Sequence, residues 1–277
     1  MNRSLLLTAS LNCLILFFCV QCSTPGKDTH THSRFNFDTD SDSARHYFIE
    51  GWKKIMDEGR WTASEAAFRK AITYDPEFVL GKTLVGKISR NLEERQLIYK
   101  DLTEKEQALS PAGKLLFEVH GMSVEFMNYR ESGTSIPPSR RTLRDSISFF
   151  NRKEFVHQYP DEAYEKAEYI EVIHHKYGAQ SALDSIQSLA SEAQLKLPFY
   201  IGYQAMLHGE LGNHNEALNQ TVRLEEVLDE KAPAIYYTRA VVLWHMDSLA
   251  SAKVMAQQAY QLDTNHLLAK GMVEALQ

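Results

Sequence analysis

The sequence predicts an all-α fold built from pairs of helices, and three observations lead to that prediction. From Ala44 onward the chain is rich in Ala, Leu, Glu, Lys and Gln, which favour helices. No window shows the alternating pattern and hairpin turns that are typical of strands. Prolines, which end or kink helices, divide this region at intervals of 35, 49, 38 and 35 residues, at Pro76, Pro111, Pro160, Pro198 and Pro233. A period in the mid-thirties predicts a helical repeat array.

The first residues of the chain predict a secretory signal. A single charged residue, Arg3, precedes a largely apolar run from Leu5 to Val20. This run is 16 residues long, shorter than the roughly 20 residues that a membrane-spanning helix needs. All three cysteines lie in this region or at its end, at Cys13, Cys19 and Cys22. We expect residues 1–21 to be removed, which leaves an exported chain with one cysteine and no disulfide.

Cys22 resembles the lipid-attachment cysteine of bacterial lipoproteins. The preceding Cys19, Val20 and Gln21 depart from the usual box of Leu, a small residue, and Gly or Ala. The alternative is an ordinary signal cut nearby, with Cys22 lost or left free. The resemblance implies that lipid is attached to Cys22. The acyl chains would anchor the protein in a membrane, because each buried methylene adds about 0.8 kcal/mol to the free energy of membrane binding. Ser23, in place of an acidic residue, favours the outer membrane of a Gram-negative bacterium. Residues 22–43 would then form the lipid-attachment site and a polar, flexible tether.

The clearest repeat unit spans Arg45 to Phe78. Its second helix places a small residue, a large apolar residue and an alanine on one face, at spacings of four and three. A glycine supplies the turn between its two helices, and a proline follows the second helix. These residues are Ser64, Phe68, Ala71, Gly59 and Pro76.

This spacing resembles that of the tetratricopeptide repeat, although Gly51 lies one residue early for the small position of the first helix. Two further units repeat the pattern with an offset of 35 residues. In one, the pattern residues are the small Ala205, the turn residue Gly212, Ala217 in the second helix and Leu224 seven residues later; in the other they are Ala240, Ala252, Ala256 and Ala259. The resemblance implies a right-handed superhelix of stacked helix-turn-helix repeats, in which the first helix of each repeat lines a concave face.

The middle of the chain is less regular. A weaker unit turns at Gly178 and has an apolar face of Ala182, Ile186 and Leu189. Before it we expect a degenerate unit through Leu109, a helix at 112–130, a loop at 131–139 and a helix from about 141 to 159. Residues after Asn265 predict the polar end helix that such arrays need. The expected organisation is N-terminal repeats with degenerate units at 44–160, and C-terminal repeats with the end helix at 161–277.

The sequence holds no recognisable catalytic, cofactor or metal motif, so we expect a protein that is not an enzyme and has no cofactor. A formal charge of −6 without a basic block argues against nucleic acid as a partner. Adjacent residues on a helix point about 100° apart, so His174 and His175 cannot share one metal without further ligands. The alternative is an all-α enzyme with an unrecognised site near His120, Glu125, Glu171 and His174.

The first helices of the last two units predict a binding groove. Phe199, Tyr203, Met206 and Glu210 share one face, and so do Tyr237, Val241 and Trp244. Aromatic and Met side chains are typical of peptide-binding surfaces. The alternative interpretation is that these side chains pack between neighbouring repeats. In this family, the grooves that bind C-terminal carboxylates use Lys and Asn at set positions of the first helices. Other residues occupy the matching positions here, which argues against a C-terminal carboxylate as the ligand. The candidate groove residues are Tyr203, Met206, Tyr237, Trp244, Glu171 and His174.

Together these features predict a non-enzymatic, membrane-anchored lipoprotein of a bacterial envelope that binds another protein or a peptide on its concave face. The alternative is a structural accessory subunit of an outer-membrane assembly or transport complex.

Overall fold

The computed structural model describes residues 34–105 and 108–276, and it confirms the predicted all-α superhelix of helix pairs. The signal peptide and Cys22 lie outside the described residues. Within them are no strands, a 3-10 helix at Gln194–Lys196 and thirteen α-helices. These are α1 (Asp42–Met56), α2 (Trp61–Tyr74), α3 (Val79–Ile88), α4 (Leu92–Lys105), α5 (Pro111–Glu131), α6 (Pro138–Gln158), α7 (Ala163–Tyr177), α8 (Ala179–Leu189), α9 (Pro198–Glu210), α10 (His214–Val227), α11 (Pro233–His245), α12 (Leu249–Leu262) and α13 (Leu267–Ala275).

The units with the clearest sequence pattern form tight helix pairs. They are α1 with α2, α9 with α10 and α11 with α12, and the first helices α9 and α11 also pack together. Small residues lie completely buried where these helices meet, because a short side chain lets two backbones approach. They include Ala71, Ala205, Ala217, Ala240 and Ala252. Proline occupies the first turn of α5, α6, α9 and α11, where its missing N–H leaves no hydrogen bond unmade.

The middle of the chain is irregular, as expected, with two helices of 21 residues each, α5 and α6. Helix α6 begins at Pro138, three residues before the predicted start. In the weaker unit, Ala182 and Ile186 are buried in α8, but Leu189 at its C-terminal end is exposed. None of the described helices is both long enough and apolar enough to cross a bilayer.

The prediction of a flexible tether through residue 43 is wrong for the part that the structure describes. Phe35 and Phe37 are only 5% and 3% exposed, and α1 begins at Asp42. The Phe35 ring packs against Phe155 with its centroid 5.3 Å away, and the Phe37 ring packs against Phe48 at 4.8 Å. The reason is hydrophobic burial, since two phenylalanines in this polar segment remove a large apolar area from water.

Gly51 allows the close approach of α1 and α2. An added Cβ at this position would lie 2.4 Å from a carbon of the Phe68 ring, which is itself buried. The Ser64 hydroxyl donates a hydrogen bond of 2.8 Å to the Gly51 carbonyl, so the small residue of α2 also contacts α1 directly. Gly51 is therefore the residue that accommodates Phe68, despite its unexpected register.

We expect Gly51→Ala to lower the free energy of unfolding by about 1–3 kcal/mol, because the added methyl group would force the Phe68 ring out of its packed position. Gly271→Ala in α13 is the matched control, since a Cβ added there would meet no atom within 4 Å and Ala favours helix. It should raise stability by about 0.5–1 kcal/mol. Urea unfolding of both variants measures the difference, and equal effects would contradict this packing.

The hydrophobic core is divided into clusters along the array. The largest spans α1 to α6 and includes Phe48, Trp52, Phe68 and Leu116. A second joins α7, α8 and α9, and a third lies between α9, α10 and α11. The first and last helix pairs therefore do not share one apolar core, and other contacts bring them together around a central space.

Candidate functional site

A cavity of about 520 Å³ lies inside the superhelix. This volume falls within the range of roughly 300–1,000 Å³ that is usual for ligand sites. Its walls come from both ends of the array, because α1, α3, α5, α7, α9, α11 and α13 all contribute side chains. The aromatic residues that line it are Trp52, Trp61, Phe68, Phe199, Tyr203 and Tyr237.

The turn after α1 closes one side of the cavity by capping two distant helices. Asp57 is buried, and its carboxylate accepts hydrogen bonds from the Tyr164 hydroxyl at 2.8 Å and from the Phe199 N–H at 3.1 Å. The Glu58 carbonyl accepts a hydrogen bond of 3.1 Å from the Ala234 N–H. Phe199 and Ala234 lie in the first turns of α9 and α11, which have no capping side chain of their own. These contacts therefore satisfy N–H groups that would otherwise lack partners.

A reciprocal cap comes from the other end of the chain. Helix α2 has no side-chain cap of its own, and the Asp263 carboxylate accepts hydrogen bonds from the Thr62 N–H at 2.8 Å and hydroxyl at 2.7 Å. The backbones also come close, since an added Cβ at Gly59 would lie 2.7 Å from the Ala234 nitrogen. Gly59 has a φ of 69°, which glycine adopts readily.

Contacts between the ends of the array thus close the concave face into a partly open cavity, which the sequence did not predict. The physical reason is the set of hydrogen bonds that join residues 57–62 to the first turns of α9 and α11 and to Asp263 at the end of α12. Side chains of a partner could enter this space, but a folded domain could not.

Four of the six candidate groove residues line this cavity: Glu171, Tyr203, Met206 and Tyr237. His174 lies behind Tyr203, with Nδ1 at 2.8 Å from the Tyr203 hydroxyl and Nε2 at 2.9 Å from a Glu210 carboxylate oxygen. Trp244 does not join them and is 48% exposed. It shares a helix face with Tyr237 but lies two turns further along α11, about 10 Å along the axis.

Comparisons with known proteins do not assign this site. No family model, curated protein or solved structure matches the chain.

Glu171 is a cavity carboxyl with a raised pKa. Its side chain is exposed on the cavity side of α7. The protein atoms around it displace part of its hydration and, together with the charge of Glu168, raise the pKa of Glu171 to about 7. Burial and the Glu171 charge in turn raise the pKa of Tyr237 to about 12 and raise that of Tyr203 further. Glu171 and both tyrosines therefore form one electrostatically connected group.

Glu168, one turn before Glu171, belongs to a network of ion pairs. It accepts a hydrogen bond from Lys87 at 2.8 Å and another from Arg152 at 2.5 Å. Arg152 also donates to Glu165 at 2.8 Å. Although burial opposes its ionisation, the charges of Lys87 and Arg152 lower the pKa of Glu168. The network joins α3, α6 and α7 beside the cavity.

The residues of the alternative enzyme site are not brought together. His120 is buried, and its Nε2 lies 2.9 Å from Glu165. Glu125 pairs with Arg140, whereas His174 contacts Tyr203 and Glu210. Among the described residues, no group of three His, Cys, Asp or Glu side chains is arranged to hold a metal ion.

Sequence reasoning missed several residues that shape the cavity, notably Trp61, His266, Asp57 and Asp263. Trp61 and His266 pack against each other with centroids 5.8 Å apart, although they are distant in sequence. A local signal existed for His266, since it immediately precedes the end helix. Its Nδ1 accepts a hydrogen bond of 3.2 Å from the Ala269 N–H and caps α13.

The cap formed by His266 should make stability depend on pH. Burial lowers the pKa of His266 to about 4, against an ordinary value of 6.5, although the charge of Asp263 opposes this. The unfolded chain therefore binds more protons than the native state between pH 6.5 and 4. Stability from this group is lost as the pH falls through that window.

We expect His266→Asn to remove this contribution, because the Asn side chain can cap a helix without titrating. The loss of unfolding free energy from pH 7 to pH 4.5 should be smaller in the variant than in the wild type. Glu162, whose pKa burial raises to about 7, acts in the opposite direction but equally in both proteins. Urea unfolding at the two pH values gives the comparison, and identical pH dependence would contradict it.

Proposed function

We propose that this protein is a non-enzymatic repeat protein of tetratricopeptide type that binds a short segment of another protein inside its central cavity. One observation carries this proposal: Glu171, Tyr203, Met206 and Tyr237, which come from three different helices, converge on one largely apolar cavity of about 520 Å³. Aromatic side chains provide large, rigid contact areas, Met adapts to irregular shapes, and the cavity walls remove part of the bound group from water. The size of the cavity favours a few side chains as the bound group.

We also propose that the protein is a lipoprotein anchored through Cys22, in the outer membrane of a Gram-negative bacterium. The apolar run that ends at Cys22 supports this, and so does the absence of cysteines from residues 23–277. Since Phe35 is buried, the proposed tether would end before it. Expression with Cys22→Ser should move the protein from the membrane fraction to the soluble fraction. Unchanged membrane association would argue against the lipid anchor.

We expect Met206→Trp to abolish capture of the partner, because the larger side chain would fill the cavity. Val254→Trp is the control, since Val254 is exposed on α12 and does not line the cavity. The measurement is affinity capture from native membranes with wild-type protein and both variants, after circular dichroism has shown that both fold. Partner loss with Met206→Trp alone supports binding in the cavity. Equal capture by all three proteins would move the contact to another surface.

A further inference from the structure

Glu171 is distinguished from the other carboxyls of the cavity by its lack of partners. Asp57, Glu168 and Glu171 all line the cavity. Asp57 accepts two hydrogen bonds and Glu168 pairs with two cations. Glu171 accepts no hydrogen bond from any described residue, and only more distant charges act on it. Because Glu171 is exposed to the cavity and unpaired, its carboxylate is free to accept hydrogen bonds from a ligand there.

The cations nearest to Glu171 are already engaged. Lys87 pairs with Glu168 and lies 5.4 Å from the centre of the Trp52 ring, while Arg152 pairs with Glu165 and Glu168. Arg130 also lines the cavity at the end of α5, but it forms no ion pair with Glu171. Within the described residues, no side chain of the protein therefore neutralises Glu171 by direct contact.

The Tyr203 hydroxyl is oriented as an acceptor. His174 Nε2 lies 2.9 Å from Glu210, so in the neutral imidazole Nε2 carries the proton and donates it to that carboxylate. His174 Nδ1 then accepts a hydrogen bond from the Tyr203 hydroxyl, 2.8 Å away. The Tyr203 oxygen retains lone pairs but has no further proton to donate. A ligand that approaches it must bring a donor.

Aromatic faces complete the site. The Phe199 and Tyr203 rings stack with centroids 5.2 Å apart, and the Tyr237 ring lies 5.0 Å from that of His266. Aromatic faces attract cations, and this attraction is strongest where water is excluded. The site thus combines an unpaired carboxylate, a hydroxyl that accepts, and aromatic walls.

Resting on the proposed function, we propose that the bound segment presents a lysine side chain whose ammonium group binds Glu171 and Tyr203, with its methylenes against Met206, Phe199 and Tyr237. An ammonium group offers three donors and a positive charge, which match a carboxylate and a hydroxyl acceptor. A carboxylate or phosphate ligand would instead face Glu171 as a like charge.

The test uses two peptides, acetyl-Ala-Leu-Lys-Leu-Ala-amide and its norleucine analogue, which lacks only the ammonium group. Calorimetry with the folded wild-type protein should show the lysine peptide binding about tenfold or more tightly. Glu171→Gln should remove this preference, whereas Glu226→Gln on the exposed face of α10 should retain it. Circular dichroism of both variants verifies that they fold.

Several results would overturn the inference. They are equal affinity for the two peptides, no binding of either, or an undiminished preference in Glu171→Gln. If both peptides bind with equal affinity and Met206→Trp abolishes this binding, the lysine site is refuted but the proposed function stands. Binding of n-hexylamine as tightly as the lysine peptide would show that a free amine is sufficient, which contradicts recognition of a peptide segment.

Discussion

Replacing Arg152 by Met should destabilise the protein by about 3–5 kcal/mol. Arg152 is buried and donates hydrogen bonds to Glu165 and Glu168, which lie on successive turns of α7. Without it, Glu165 would retain only His120 as a partner and Glu168 only Lys87. Burial lowers the pKa of His120, which disfavours its charged form, so His120 is a weaker partner for Glu165 than the permanently charged Arg152. Two buried carboxylates would then lack most of the compensation for their lost hydration.

The control for this prediction is the same substitution at an exposed ion pair. Arg239 pairs with Glu225 near the surface, and both side chains are about one-third exposed. Arg239→Met should change the unfolding free energy by less than about 1 kcal/mol, because water screens such a pair. Urea unfolding of both variants at pH 7 gives the comparison. A loss at Arg152 no larger than that at Arg239 would contradict the structural role of the network.

Asp57→Ala should lower the free energy of unfolding by about 2–4 kcal/mol. The substitution removes the partner of the Tyr164 hydroxyl and the cap of α9 at the Phe199 N–H, both in a part-buried region. Loss of a cap contributes about 1 kcal/mol, and each buried donor left without a partner contributes about 1–3 kcal/mol. The first helix pair should also separate more easily from the last two.

Asp184→Ala is the matched control, since Asp184 is exposed on α8 and accepts one hydrogen bond from Gln180 in the same helix. Its effect on unfolding free energy should stay within about 0.5 kcal/mol. Urea unfolding measures both variants. An Asp57→Ala effect as small as that of Asp184→Ala would mean that this carboxylate does not hold the cavity closed.

Local sequence pattern predicted the helix pairs because their determinants lie close together in the chain. Alanines such as Ala205 and Ala240 mark helix contacts, and prolines such as Pro198 and Pro233 mark helix starts. Spacings of three and four residues also placed Tyr203 and Met206 together on a face that lines the cavity. Trp244 follows the same periodicity, but periodicity does not specify the depth at which a side chain lies along the helix axis.

Closure of the cavity could not be predicted, because the contacts responsible are distant in sequence. Asp57 caps Phe199 across 142 residues, and Asp263 caps Thr62 across 201. Each aspartate follows a helix, and no local feature of the sequence indicates which distant N–H group its carboxylate contacts. Burial of Phe35 was similarly hidden, because its partner Phe155 lies far along the chain.

Amide hydrogen exchange tests the closed cavity most directly. The N–H groups of Thr62, Phe199 and Ala234 lie in first turns, where amides usually have no partner, and here they donate to distant residues. Those of Asn215 and Ala250 occupy equivalent positions in α10 and α12, are exposed, and have no acceptor among the described residues. A closed cavity predicts that the first three exchange much more slowly than the last two. Exchange of all five at similar rates would show that the ends of the array are not held together.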